Sequence, residues 1–189
     1  MVDNNSNIYL WHISERYVQN FIGEYCRNSI KDRFVYKQGR RIDEVIEKPT
    51  VIFEKATKKQ LQKYSSLASN LMIPLINDNI ANTLMKIAPN NIQLMDVIVK
   101  AKDGELAGYK ILNITIECDG LDENETICNY IPSTKHILGF DKFKYKKNCL
   151  ENIDIARSKD YHGHLIVSEQ IKNKLLNIDN LGVDFKKVS

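Results

Sequence analysis

Glycine is scarce and scattered: the 189-residue chain holds 8, each standing singly, so no glycine-rich loop is present to cradle a phosphate. Cysteine is no denser. Cys26, Cys118, Cys128 and Cys149 are widely spread, with none of the C-x-x-C spacing of a zinc or redox site, and suit separate reduced thiols. No apolar run approaches the length that crosses a bilayer; the run from Leu71 to Ile76 is itself interrupted by Pro74. The opening MVDNNSNIYLWHISERY has neither a basic start nor an apolar core, so a secretory signal is not expected and a cytoplasmic location is. G-x-S-x-G, H-E-x-x-H and a cysteine set in a catalytic signature are missing as well. No catalytic residue, cofactor or metal is therefore expected, and no membrane partner.

What is present is ordinary globular material, 43% hydrophobic and 27% charged. That length and composition suit one domain over 1–189 with a sizeable core. The charge is uneven along it. Residues 1–74 carry 12 basic and 8 acidic side chains, 75–135 carry 5 and 9, and 136–189 carry 10 and 7. An acidic middle between basic ends bears on partners and association rates, not on fold.

Local patterns divide the chain into an N-terminal segment of residues 1–74, a first strand-helix-strand unit 75–99, a hairpin and acidic loop 105–130, and a second unit 164–188. After Ser14 a helical stripe of Tyr17, Val18, Phe21, Ile22, Tyr25 and Cys26 predicts an amphipathic helix. RFVYKQGRRI reads as strand with a turn at Gly39, and TVIFE after Pro49 as a short strand. Thr57 and Gln60 match a capping box, with Leu61, Tyr64, Ala68 and Leu71 following on one helical face.

The two units echo each other. At an offset of 91, Ile80 falls on Ile171, Asn82 on Asn173, Leu84 on Leu175, Ile87 on Ile178 and Val97 on Val188. Each reads as a strand end, a cap (Asn77, Ser168), a helix and a stop in the left-handed region (Asn91, Gly182). Strand residues come next, IQLMDVIV in one and VDFKKV in the other. Between the units, Asp103-Gly104 marks a turn and YKILNITIEC alternates with one apolar face, predicting a strand in a hairpin with the one before it. The expected class is α+β: a mixed, mainly antiparallel sheet with packed helices and an internally echoed unit.

Three stretches carry possible chemistry. Tyr161-His162-Gly163-His164 spaces two imidazoles for a metal on an extended strand, without a third ligand nearby in sequence; a polar turn explains it equally well. ECDGLDENE places Glu117, Asp119, Asp122, Glu123 and Glu125 within nine residues, but lacks the order of a calcium loop. It reads as a solvated loop or as a docking surface for a basic partner. DKFKYKK, with Lys142 and Lys144, interleaves aromatics and lysines as a single-stranded nucleic-acid groove does, and equally as a strand with a wet lysine face does.

Several of these residues lie in an order that resembles the bacterial polymorphic-toxin immunity family numbered eleven. The likeness rests on Phe34, Gly39 and Pro49, on Asn113 through Asp119 with Asp122, and on Ile155-Ala156-Arg157, Ile166-Val167-Ser168-Glu169 and Gly182-Val183-Asp184-Phe185. Thr126 departs from it, standing where the family pattern has serine. The resemblance implies a non-catalytic protein that binds a cognate toxin and neutralises it. On that reading Glu117, Asp119, Asp122, Glu123 and Glu125 meet a basic toxin, or Lys142 and Lys144 an acidic one. Asp119 and Asp122 also fit a structural role, holding N–H groups of the loop. The alternative is a nucleic-acid-binding accessory protein using 142–147.

Overall fold

The computed structural model describes residues 7–27, 34–43, 47–134 and 136–189. Its first half contains strands β1 (Ile8–Ile13), β2 (Glu24–Tyr25), β3 (Thr50–Phe53), β4 (Ser66–Leu67) and β5 (Leu75–Asn77), with helix α1 (Lys58–Leu61). Helix α2 (Asp78–Ile87) leads to β6 (Ile92–Asp96), β7 (Ile98–Ala101), β8 (Gly104–Leu106), β9 (Tyr109–Ile114) and β10 (Glu117–Cys118). Then come β11 (Ile127–Tyr130), β12 (Ile137–Lys142), β13 (Ile155–Ser158), β14 (Leu165–Ser168), helix α3 (Glu169–Leu175) and β15 (Val183–Lys187). The class is α+β, mostly strand, in several mainly antiparallel sheets; the parallel pairs are β3 with β7 and β10 with β13.

Two sheets sandwich the larger helices. One runs β4-β5-β9-β6, the other β10-β13-β14-β1-β15. Helix α2 starts because the Asn77 side chain accepts from the N–H groups of Asn79 and Ile80, and α3 because Ser168 accepts from Ile171. Each then turns a periodic apolar face inward. Ile80, Ala81 and Leu84 meet Ile171 and Leu175, with Leu112 and Ile114 on one side and Trp11, Leu165 and Val167 on the other. A leucine as enclosed as Leu84 contributes about 1.5–3 kcal/mol over its exposed state.

The units share a strand order. β5 and β6 flank β9, both antiparallel to it; β14 and β15 flank β1 in the same way. β4 borders β5 as β13 borders β14. Gly182 takes φ +84° at the end of the second unit, and a Cβ there would stand 2.3 Å from the carbonyl oxygen of Ser66.

Several expectations need correction. Residues 17–26 form a 310 turn at Gln19–Phe21 and strand β2, not a helix, because their polar groups go to the 66–70 segment. Gly23 N donates to Ala68 O, Asn70 N to Gly23 O, and Ala68 N to the Tyr17 hydroxyl. Within RFVYKQGRRI, Arg33 lies outside the described residues; Val35–Lys37 is a 310 turn, while the turn at Gly39 is present with φ +57°. The capping box at Thr57 is formed, yet α1 stops at Leu61. Beyond it the Tyr109 hydroxyl holds Tyr64 O at 2.6 Å, and Ser65 and Ser66 donate to Asn180 and Leu181. That draws the chain into β4.

Asn91 is absent from the positive-φ positions, so only Gly182 of that pair makes a left-handed stop. IQLMDVIV splits into β6 and β7 in different sheets, and YKILNITIEC into β9 and β10. β9 is buried on both faces: Leu112 and Ile114 serve the helical core, Tyr109 and Ile111 a second core with Val51, Phe53 and Val99. A third core, with Ile8, Leu10, Ile166 and Tyr145, lies behind the five-stranded sheet.

Candidate partner-binding surface

The β11–β12 hairpin is a two-stranded sheet of its own, and register shifts at Ile127/Cys128 and Asn129/Tyr130 interrupt its alternation. Its inner side is anchored by rings. Phe140 stacks on His164 at 5.1 Å between centroids and meets Tyr161 edge-on at 5.2 Å, while Phe143 lies 4.7 Å from His164. The Tyr145 hydroxyl is 3.0 Å from His164 Nδ1. Burial, with Lys186 nearby, holds His164 down to about 4, so its ring is neutral at pH 7.

The hairpin also carries exposed apolar side chains: Ile127, Tyr130, Ile131 and Leu138 are exposed, Leu138 by 66%. Exposed aliphatic and aromatic side chains gathered on one small hairpin are the kind of patch that marks an interaction site.

The acids expected to act together occupy three places. Glu117, on β10, pairs with His162 Nε2 at 2.7 Å. Asp119 faces Lys159 at 3.6 Å. The remaining acids sit beside the hairpin: Asp122 Oδ1 accepts from Asn124 N at 3.0 Å, which is the loop-holding role, and Asp122 N donates to Lys144 O. Glu125 reaches Lys144 at 2.8 Å and Lys142 at 3.6 Å. The Lys144 ammonium holds the Glu125 carboxyl below its ordinary range, and that carboxylate in turn raises Lys144. Glu125 thus bridges Lys142 and Lys144 at the hairpin base, leaving one positive charge in excess. Exposed Glu123 has no hydrogen bond or ion pair among the described residues, and its charge raises the nearby Tyr130 hydroxyl behind the larger effect of Cys128.

Thr126 Oγ1 accepts from Lys144 N at 3.2 Å and ties the loop to the segment just after β12. His162 and His164 do not converge, one bound to Glu117 and the other to Tyr145. Tyr145 is fully buried and Phe143 packs against His164, so neither offers a free face for a base. The four cysteines carry no disulfide among the described residues; the thiols of Cys118 and Cys149 hydrogen-bond each other.

Sequence reasoning passed over two features. The outward aliphatics of 127–138 lacked a readable period because the register shifts break it. The second is an apolar cleft of about 410 Å³, lined by Trp11, Ile13, Leu67, Met72, Tyr161 and His164. It joins β1 to the 66–74 segment, a contact no local pattern encodes. Tyr161 and His164 are shared with the aromatic anchor, so the cleft borders the residues on which the hairpin is seated. Met72 stands at its edge, 46% exposed and at φ +55°, an uncommon conformation for a residue with a side chain.

The model of an immunity protein family, Imm11, matches residues 8–189, from the first residue of β1 to the end of the chain. This chain belongs to the Imm11 immunity protein family. The matched span takes in the hairpin, the acidic loop and the cleft. A search of curated proteins finds no match. No helix among the described residues is long and apolar enough to cross a membrane.

Proposed function

We propose that this Imm11 protein acts in the cytoplasm, binding a cognate polymorphic-toxin domain and neutralising it by occlusion, without catalysis. The observation that carries the reading is the family match over 8–189. The contact surface is the outer face of the β11–β12 hairpin with the adjoining cleft. Ile127, Tyr130 and Leu138 supply the apolar centre, and Glu123 and Asp122 a negative rim that steers a basic toxin. Glu125, Lys142 and Lys144 serve less as free charges than as the clamp that sets the hairpin, and Glu117 and Asp119 lie off this face. An interface of ordinary size buries about 1,200–2,000 Å² in total, about half of it on each partner, and the cleft is taken as part of it.

The chain works as one domain, and its segments 75–99 and 164–188 are two copies of one strand-helix-strand unit. They serve as scaffold, since the positions they share, exposed Asn82 and Asn173 apart, are apolar and pack against the cores. Nucleic acid is the weaker reading because the aromatics of 142–147 face inward.

Co-expression with candidate toxin domains from the same genome tests the proposal. Restored growth and co-elution on gel filtration are expected. A toxin that stays lethal and elutes alone would remove the reading. Glu123→Lys, at a side chain with no hydrogen bond or ion pair among the described residues, should slow association and shift the melting temperature by less than the equivalent of about 0.5 kcal/mol.

A further inference from the structure

Arg157 is the largest fully buried side chain of the described residues, and no carboxylate pairs with it. Among the described residues its guanidinium makes one hydrogen bond, from Nη1 to His162 O at 3.3 Å. Nε and Nη2 are buried and unpartnered. These two nitrogens form one edge of the guanidinium, the fork that holds two oxygens of an oxyanion side by side.

The surroundings add donors of the same sense. The hydroxyls of Tyr25 and Tyr36 are also buried without a partner. Tyr25 lies near enough to both Tyr36 and Arg157 for its ionisation to feel each, and burial pushes both phenols above their ordinary range. The backbone explains the convergence. The 310 turn that carries Tyr36 packs on β9, as does β13, which carries Arg157. Past that turn Gly39 leaves no room for a Cβ, which would stand 2.2 Å from Cγ of Glu117, and Glu117 is the strand partner of Arg157.

Glu117 does not supply the missing charge, since its carboxylate is held by His162 at 2.7 Å. Burial lowers the guanidinium only to about 10, so it remains cationic at neutral pH. A buried charge without a counter-charge is strongly destabilising, and buried donors without acceptors add to the cost. Water would satisfy the donors but leave the charge. Asn113 Oδ1, a buried acceptor without a donor, is a water's partner rather than an anion's.

We propose that the Arg157 Nε/Nη2 edge, with the hydroxyls of Tyr25 and Tyr36, forms an interior binding site for a small planar oxyanion of formate or bicarbonate size. The anion is a structural ligand. It locks the 310 turn at 35–37 and β2 onto β13, joining these two elements to the five-stranded sheet.

Formate is the probe, exchanged at constant ionic strength against gluconate, whose polyol chain is too large for a closed interior site. The melting temperature of the full chain is expected to rise with the logarithm of formate concentration once the site fills. Arg157→Met should lose that dependence, melting above the wild type in gluconate and below it in high formate. Should Arg157→Met not fold, Tyr25→Phe with Tyr36→Phe keeps the charge and the packing, and should weaken the formate midpoint at least tenfold. A wild type indifferent to formate, or a Tyr25→Phe/Tyr36→Phe variant that responds as the wild type does, would overturn the site.

Discussion

The first unit takes its central strand from the chain just downstream: β9 comes directly after β5, α2, β6 and the β7–β8 hairpin. The second takes its central strand from the other end of the chain, with β1 running between β14 and β15. Strand order, helix position and N-cap position match, while the source of the middle strand differs. A local connection orders the first unit through nearby contacts, whereas the second must close a loop of nearly the whole chain before β1 can pair. The second unit also has the hairpin anchor against it, with a buried histidine just before β14.

Removal of β1 should separate the two units most severely. Deleting residues 1–13 should abolish the cooperative thermal transition seen by circular dichroism. Restoring Ile8–Ile13 after Ser189 through a short linker should bring it back, because Tyr9 already faces Lys187 across an antiparallel pair and Val188 N donates to Ile8 O. A cooperative transition in the deleted chain would show that β1 is not integral.

Leu84→Ala and Leu175→Ala come next. Both side chains are fully buried at matching positions, so each should cost about 2–5 kcal/mol in urea unfolding, and the two should be similar. Acid should separate the units. Folded His164 titrates near 4 and unfolded histidine near 6.5, so the unfolded chain binds the proton first and stability falls as pH drops between those values. The loss is on the order of 3 kcal/mol, and His164→Gln should flatten that region of the profile.

The caps give the smallest contrast. Asn77→Ala should cost about 1 kcal/mol. Ser168→Ala should cost more, near the upper end of about 2 kcal/mol, because Ser168 also donates to Asp154 at 2.6 Å. Equal losses would mean that the Asp154 bond adds nothing.

These elements also show how far the sequence can be read. Both caps, both helical stripes, β3, the 57–60 capping box and the Gly39 and Gly182 turns were legible because each rests on contacts within a few residues. What failed depended on distant partners. The 17–26 stripe has helical period, but Ala68 and Asn70 take its backbone bonds; Tyr64 and Ser66 are claimed by β9 and the 180–181 segment. At the candidate surface, the charges of 117–125 and 142–144 were visible as residue types, but not that Glu125 sits between Lys142 and Lys144. Arg157 was visible as the end of a short strand, with no sign that it is buried without a counter-charge.

Whether the outer face of the hairpin holds the toxin is the most direct question. Titration calorimetry of a candidate cognate toxin domain that the wild type binds, against the wild type and Leu138→Asp, decides it. Leu138 is 66% exposed, so the substitution should leave the melting temperature unchanged, and loss of a central anchor should weaken binding at least about 30-fold. Equal affinity for the two proteins would contradict the proposed surface.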